Sequence, residues 1–478
     1  MYRCSTPSRA LPLRRPAGVL TAAVLALGAS LGTVTLQAPP AMAATATPSS
    51  FSAVSSAPGL KPGEVTISWV QSGKNTVRYE IETGLTSFSS TQHARGSKVF
   101  KVPAGRSSVT LTAAQTAAAG APVGSANHLY FRLRAISADG TVRAYPYQQY
   151  AAVAPAVPAA TGTPVRIATF NVRTARATTD ARTWLDRAPD VAASIVDHDL
   201  DIVALQELGP GRADGQTGIT KGTARQTDSL VTALAAAGGS RYKLVRTTPY
   251  VKSGTLTGTQ GARILYDTSK YTLVSPCSNT SPDGSYSASC SITLPLRPSG
   301  DTEADRRRAA YAEFADQATG EHFLVVSAHL DQRHSTDTAV EKTYNALRGE
   351  QIKTILAKLA TVNPQGYPVV FGGDINSYQN NKVGYAPHDE LIKAGFYDTA
   401  AAAEQVNIHY TTMNDFKTTL TAPTPGYGAR IDTLAVEGVV GASYWENVLK
   451  PTDDARPSDH NMLVADVRLP VAGGTSAR

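Results

Sequence analysis

At 478 residues the chain is too long for one ordinary domain, and with 42% hydrophobic residues its composition is that of a soluble protein, so two folded units are expected. The formal net charge is +7, but Arg3, Arg9, Arg14 and Arg15 all fall in the first 43 residues, and without them 41 basic residues face 38 acidic ones. Basic character is therefore no argument for nucleic-acid binding here.

The four arginines precede an Ala/Leu-rich run, Gly18 to Leu36, and Ala41-Met42-Ala43 follows before Ala44. Basic, apolar and small-residue regions in that order read as a secretory signal peptide over residues 1–43. The A-x-A site and the Ala/Gly/Thr content argue against a transmembrane anchor. Pro16 behind Arg14-Arg15 leaves the export route open. The expectation is a secreted, extracellular monomer with no stable membrane association.

Over residues 46–152 short alternating runs recur between turns: EVTISWV, VRYEIETG, SSVTLTA, HLYFRLRAIS and TVRAYPYQQYA. No helix is expected there, only a small antiparallel β-sandwich with Trp69 in its core. Trp69 and the later run from Tyr130 to Ala135 resemble a fibronectin type III module, which implies a non-catalytic contact with a surface or polymer. The Pro/Ala-rich stretch 153–164 reads as an extended linker.

From 165 to 470 strands interleave with helices. VRIATFNV, DIVALQEL, RILYD, AYAEFA, HFLVVSAHL, YPVVFGGDIN, RIDTLAV and MLVADVRL read as strands; ARTWLDRAPDVAASIVDH, SLVTALAAAG, TYNALRGEQIKTILAKLA and DELIKAGF read as helices. Strands outnumber helices and many are adjacent, so two sheets faced by helices fit better than a simple doubly wound sheet. Cys277 and Cys290 flank a stretch with Asp283-Gly284, a hairpin signal, and in an exported protein the pair is expected to form a disulfide.

Most of these strands end on polar residues that a buried strand does not need: Asn171, Glu207, His329, Asp374 with Asn376, and Asp432, with Asp459-His460 just ahead of the last strand. Polar groups gathered at one set of strand ends suggest a shared site. In GGDIN, residues two apart on a strand share a face, so Asp374 could take a proton from water while Asn376 orients that water. Gly372 and Gly373 would give the backbone room to bend and a phosphate room to approach. A strand followed by an Asx turn is the competing reading of the same five residues.

The ordered series TFNVRT, LQEL, SAHL, GGDIN, RID and PSDHNMLVADV resembles the endonuclease/exonuclease/phosphatase superfamily, over about Val165 to Leu469. The resemblance implies a DNase I-like four-layer α/β sandwich, preceded in this chain by the all-β fibronectin type III-like sandwich. It implies Glu207 as principal divalent-metal ligand, helped by Asn171, with Asp459 completing the acidic cluster or binding a second metal. Oxygen ligands of this kind suit Mg²⁺, or Mn²⁺ or Ca²⁺. It implies Asp374 as the base that activates water, Asn376 as its orienting partner, His460 held by Asp432 against a phosphoryl oxygen, and His329 across the scissile phosphate. Asn171 and Asn376 would also touch substrate. Arg307 matches a phosphate-contacting arginine, a solvated basic loop being the other reading. The chain departs from the pattern at GTQGARILYD: Gln260 stands where an acid would support His329, Asp267 lies beyond, and Arg263 either reaches the site or flanks the strand.

These residues cleave P–O bonds without naming the leaving group. GGDINSYQNN and YGARIDTLAV lack the aromatic-basic and Trp-Cys-Asp features of inositol-phosphate phosphatases, and SNTSPDGSYSAS is too polar for the lipid-entering hairpin common in bacterial sphingomyelinases. A secreted nuclease acting on DNA, or RNA, is the expected function. A sphingomyelinase or phospholipase C-type phosphodiesterase, a phosphomonoesterase, and a non-catalytic surface-binding protein are the alternatives.

Overall fold

The computed structural model describes residues 46–85, 98–121, 128–145, 149–154, 162–218, 222–245, 261–277, 290–298, 300–302, 305–379, 381, 383–417, 420, 427–439, 441–450 and 456–470. The expected signal peptide, residues 155–161 of the linker, Gln260 and the 278–289 hairpin lie outside the described residues.

Alternating burial in the first hundred described residues builds two antiparallel sheets. β1 (Ala53–Pro58), β2 (Val65–Val70) and β5 (Ser108–Leu111) pair in the order β1-β2-β5. The second sheet runs β4 (Lys98–Pro103), β3 (Arg78–Gly84), β6 (His128–Ile136), β7 (Val142–Ala144), and β8 (Gln149–Ala152) also pairs with β6. Val54, Ile67 and Trp69 meet Ile81, Leu129, Phe131 and Leu133 in one core between them. Two expectations are corrected. A helix does occur, α1 (Ala113–Ala118), because Thr112 and Gln115 form a capping box and Thr116 Oγ1 donates to the Gly63 carbonyl at 2.6 Å. TVRAYPYQQYA gives two short strands, β7 and β8, rather than one.

The remaining strands form two seven-stranded sheets. One runs β11 (Tyr242–Leu244), β12 (Arg263–Asp267), β10 (Ile202–Gln206), β9 (Thr163–Asn171), β22 (Met462–Leu469), β21 (Ala442–Val448), β19 (Glu404–Val406). The other runs β13 (Tyr271–Leu273), β15 (Arg308–Asp316), β16 (His322–His329), β17 (Val369–Asp374), β20 (Asp432–Glu437), β18 (Phe396–Asp398), with β14 (Ser291–Thr293) also on β15. α2 (Trp184–Asp197) and α3 (Gln226–Ala236) cover the first sheet, burying Trp184, Val191, Ile195 and Leu230 against Phe170, Val203 and Leu205. α4 (Thr338–Val362) and α5 (Ala386–Lys393) bring Ile352, Ile355, Leu359 and Leu391 to the core of the second. The result is the expected four-layer α/β sandwich. Residues Ala46–Arg478, both sandwiches together, form one compact unit. No described helix is long and apolar enough to cross a membrane. Cys277 and Cys290 are disulfide-bonded.

The sheets touch through small residues and a few hydrogen bonds. Ser327 Oγ donates to the Leu205 carbonyl at 2.7 Å, and Gln206 Nε2 donates to Ser327 Oγ at 3.2 Å. Gly372 sits where the sheets come closest: a Cβ there would lie 2.5 Å from Ala204 Cβ and 3.2 Å from Thr169 Cβ. Neither Gly372 nor Gly373 has a positive φ, and a Cβ on Gly373 would meet the Ala328 carbonyl at 2.8 Å. Both glycines serve packing, and the positive φ that a glycine-specific bend would need is absent from both. Gly372→Ala is expected to lower unfolding stability by about 1–3 kcal/mol through overpacking, measured by denaturant titration.

Candidate active site

The site is assembled by register. In the second sheet His329 pairs with Asp374, and Asp374 with Asp432, so three polar residues stand in one row across β16, β17 and β20. In the first sheet Asn171 pairs with Gln206, which puts Glu207 one step beyond the same end. Asn171 Nδ2 then crosses between sheets, donating to Asp374 Oδ2 at 3.0 Å and to Glu207 Oε1 at 3.2 Å. His460 arrives on the last loop, its Nδ1 3.0 Å from Asp432 Oδ2 and its Nε2 3.8 Å from Asp374 Oδ2. His329 Nε2 lies 3.4 Å from the same Asp374 oxygen.

Backbone geometry ends these strands abruptly. Arg173, Glu207 and Asn376 all adopt left-handed φ, 59°, 58° and 49°, just past the ends of β9, β10 and β17. Non-glycine residues held there cost roughly 1–2 kcal/mol each, so the surrounding structure must impose the conformation. Gly261 is part of that imposition: a Cβ there would lie 2.5 Å from the Glu207 backbone, and the Gly261 carbonyl accepts from Leu208 N–H at 3.0 Å. The left-handed turn also corrects the reading of GGDIN. β17 ends at Asp374, so Asn376 does not share a strand face with it. Its N–H caps Asp374 Oδ1 at 3.0 Å and its Nδ2 donates to the Leu330 carbonyl at 3.3 Å, an Asx-type turn at the edge of the acidic row.

Each ionisable group has an identifiable balance. Burial opposes ionisation of Glu207, but the histidines, the Thr174 N–H at 2.9 Å and the Asn171 amide outweigh it and hold the carboxyl below its ordinary range. Asp374, fully enclosed and facing the Asp432 charge, is pushed up to about 7. Burial would strip the proton from His460, yet Asp432, Asp374 and Asp459 raise its pKa well above the ordinary value. Burial and the Arg307 guanidinium drive His329 the other way. Arg307 Nη1 is 3.3 Å from His329 Nδ1, so that nitrogen accepts and Nε2 carries the hydrogen that faces Asp374. The partner of His329 is therefore Asp374 with Arg307. Asp267 pairs with Arg241 at 3.0 Å instead, and Arg263 is buried, donating to the Ala262 carbonyl at 2.9 Å.

Asp459 is near but differently engaged: its Oδ2 pairs with Arg173 Nη1 at 3.1 Å. Arg173 also binds Asp180 at 3.0 Å. Asn171 Oδ1 accepts from Arg173 N–H at 3.1 Å, so its amide nitrogen faces the carboxylates. Glu207, Arg173 and Arg307 are only half-buried, and it is through them that solvent meets the cluster.

Several positioning residues carry no local signal in the sequence. Buried Arg187 donates to the Val172 and Pro457 carbonyls at 2.8 and 2.7 Å, clamping the end of β9 to the His460 loop. Ser458 Oγ donates to the Asn171 carbonyl at 2.6 Å. Thr412 Oγ1 donates to Asp432 Oδ2 at 2.6 Å, fixing the carboxylate that holds His460. Asn414 Nδ2 donates to the Ser458 carbonyl at 3.1 Å and to Asn461 Oδ1 at 2.9 Å.

No protein-family model matches the chain, and no curated protein does. Among solved structures, the chain is similar to an endonuclease/exonuclease/phosphatase from Bacteroides vulgatus, 24% identical over 64% of this chain and 99% of that one, with a TM-score of 0.46. A mannosyl-6-phosphatase of Bacteroides thetaiotaomicron is 19% identical over 63% of this chain and 99% of its own, with a TM-score of 0.44. TDP2 of D. rerio, complexed with single strand DNA product, is 15% identical over 64% and 99%, with a TM-score of 0.39.

Asp432→Asn removes the main counter-charge of His460. Because a raised imidazole pKa keeps the cation until pH climbs through that value, its fall in the variant is expected to move the alkaline limb of the pH–activity profile to lower pH. The turnover rate should drop about 10²–10⁴-fold. An unshifted alkaline limb would assign that limb to another group.

Proposed function

We propose that the chain is an exported, divalent-metal-dependent phosphodiesterase, a nuclease that hydrolyses extracellular DNA or RNA. The observation that carries this reading is the row His329, Asp374, Asp432, closed by Asn171 and Glu207 from the facing sheet and by His460 from the last loop. A phosphodiester is anionic, so its hydrolysis needs a base for water and positive charge around phosphorus, and the cluster offers both.

The residues fit a hard divalent cation. The Asp374 and Asp432 carboxylates stand side by side in the row, and Glu207 adds an ionised, half-exposed carboxylate next to Asn171. Burial, and then the neighbouring Asp432 charge, raise Asp374, so a cation beside this pair would be stabilising. Glu207 is the residue best placed to hold it, with Asp459 behind. When bound, such an ion would supply Lewis-acid charge to the phosphoryl oxygens.

The chain's own groups do the rest. A pKa near 7 lets Asp374 exist as base and release the accepted proton at neutral pH. As the water oxygen bonds to phosphorus and the P–O bond to the leaving group breaks, Asp374 takes the water proton. The His460 imidazolium, its Nδ1 held by Asp432, presents Nε2–H to a phosphoryl oxygen where negative charge accumulates. The Nε2–H of His329 and the Arg307 guanidinium, now on His329 Nδ1 and Gln332, would turn to the phosphate and hold it in register. In this reading the amino-terminal sandwich keeps the enzyme close to a polymer or surface.

The test is hydrolysis of plasmid DNA by the full chain with Mg²⁺, with and without EDTA, beside sphingomyelin and p-nitrophenyl phosphate. Nicking that EDTA abolishes and that falls at least about 10²-fold in Asp374→Ala and His460→Ala is expected. Full activity in both variants would eliminate the mechanism, and lipid turnover without nicking would replace the nuclease by the phospholipase C-type reading.

A further inference from the structure

A second group of titratable side chains, separate from the catalytic row, lies where the two sandwiches meet. On β6 the odd residues Leu129, Phe131 and Leu133 fill the core of the small sandwich. Strand alternation turns His128 and Tyr130 to the opposite face. In an isolated sandwich that face would be wet, yet His128 is 1% and Tyr130 0% exposed. α5 and its approach cover them: His128 meets the His388 ring edge-on at 5.3 Å between centroids, and His388 stacks on Tyr385 at 4.4 Å. Tyr150 of β8 donates its hydroxyl to Asp398 Oδ2 at 2.6 Å, and Arg430 Nη2 reaches the same oxygen at 2.9 Å.

His128, His388 and Asp389 each offer one ligand atom, all within 4.8 Å of one another. Hydrogen bonding prepares them. His388 Nε2 donates to Asp398 Oδ2 at 3.0 Å, which fixes the tautomer and leaves Nδ1 with its lone pair. That nitrogen is buried and has no hydrogen-bond partner; nor have Asp389 Oδ1 and the Tyr130 hydroxyl. Unpartnered buried polar atoms on the adjacent residues His388 and Asp389, and another on Tyr130 of β6, are anomalous for a protein interior. A histidine backed by a carboxylate, with its second nitrogen free, is how proteins orient imidazole toward a metal. His128 Nε2 lies 3.0 Å from the Leu85 carbonyl.

We propose that His128, His388 and Asp389 form a structural site for a borderline transition-metal ion of the zinc class, with the Tyr130 hydroxyl as available fourth donor, that fastens the small sandwich to the four-layer one. Two imidazoles and one carboxylate suit such an ion better than Mg²⁺ or Ca²⁺, which prefer oxygen ligands. Asp398, itself compensated by Arg430, is the outer residue that orients His388. The site joins residues 260 positions apart, so metal binding would tie the two sandwiches together without any contribution from the linker. It does not depend on the proposed nuclease reaction.

The full chain is stripped with chelator, loaded with Zn²⁺, desalted, and its zinc measured by plasma mass spectrometry. The wild type is expected to carry one more zinc per chain than His128→Gln, His388→Gln and Asp389→Asn, and Glu207→Gln one more than the same variant combined with His128→Gln. Zinc should raise the wild-type melting temperature by several degrees and leave that of His128→Gln unchanged. His128→Gln keeps the His388–Asp398 pair, so it reports even where His388→Gln fails to fold. Equal zinc content in wild type and His128→Gln, or no zinc in the wild type after loading, would overturn the proposal.

Discussion

A side-chain hydrogen bond from Asn171 Nδ2 to Asp374 Oδ2 joins the two sheets of the larger sandwich at the point where the chemistry would occur. It can form only if the sheets approach closely and both strands stop at the correct residue. Gly372 allows the approach two residues before Asp374, since any side chain there would meet Ala204 and Thr169. The pairing of β16, β17 and β20 sets the stop, because a slip of one residue on β17 would turn Asp374 to the opposite face and leave His329 and Asp432 without it. Helices α2 to α5, the disulfide and the apolar cores serve this arrangement by holding both sheets rigid.

The electrostatics follow from crowding. Glu207, Asp374, Asp432 and Asp459 share a small volume with His329, His460, Arg173 and Arg307, and the environment pushes their proton affinities apart. Glu207 is held as an anion, Asp374 is lifted to about 7, His460 keeps its proton and His329 loses it. Acid and base roles are thereby divided among groups a few ångströms apart, the pattern expected of a site that moves protons near neutral pH. Arg173 is balanced by Asp180 and Asp459, while half-buried Arg307 adds positive charge beside His329.

Much of this was readable in the sequence, for a physical reason. Buried strands are apolar, so a polar residue closing each of RIATFN, IVALQE, LVVSAH and ARID stands out, and every residue so marked lies in or beside the cluster. What failed were inferences about local geometry. Period two carried through Ile375 puts Asn376 on the strand face of Asp374, whereas β17 ends at Asp374 and Asn376 takes a left-handed φ. The glycines were assigned to substrate because the neighbouring sheet that needs their missing side chains is remote in sequence. Arg187, Thr412 and Ser458 left no trace for the same reason: Arg187 reaches a carbonyl 270 residues away and Ser458 one 287 away. The α1 turn was missed because a six-residue helix carries only its capping box as a signal.

The central claim is that segments remote in sequence converge on one cation beside one phosphorus atom. Anomalous diffraction from crystals of the full chain grown with Mn²⁺ and inorganic phosphate measures this directly. The account predicts a manganese peak in contact with the Glu207 carboxylate and a phosphate within hydrogen-bond reach of His329, His460 and Arg307. Manganese bound away from Glu207, or phosphate bound with neither imidazole in contact, would contradict it.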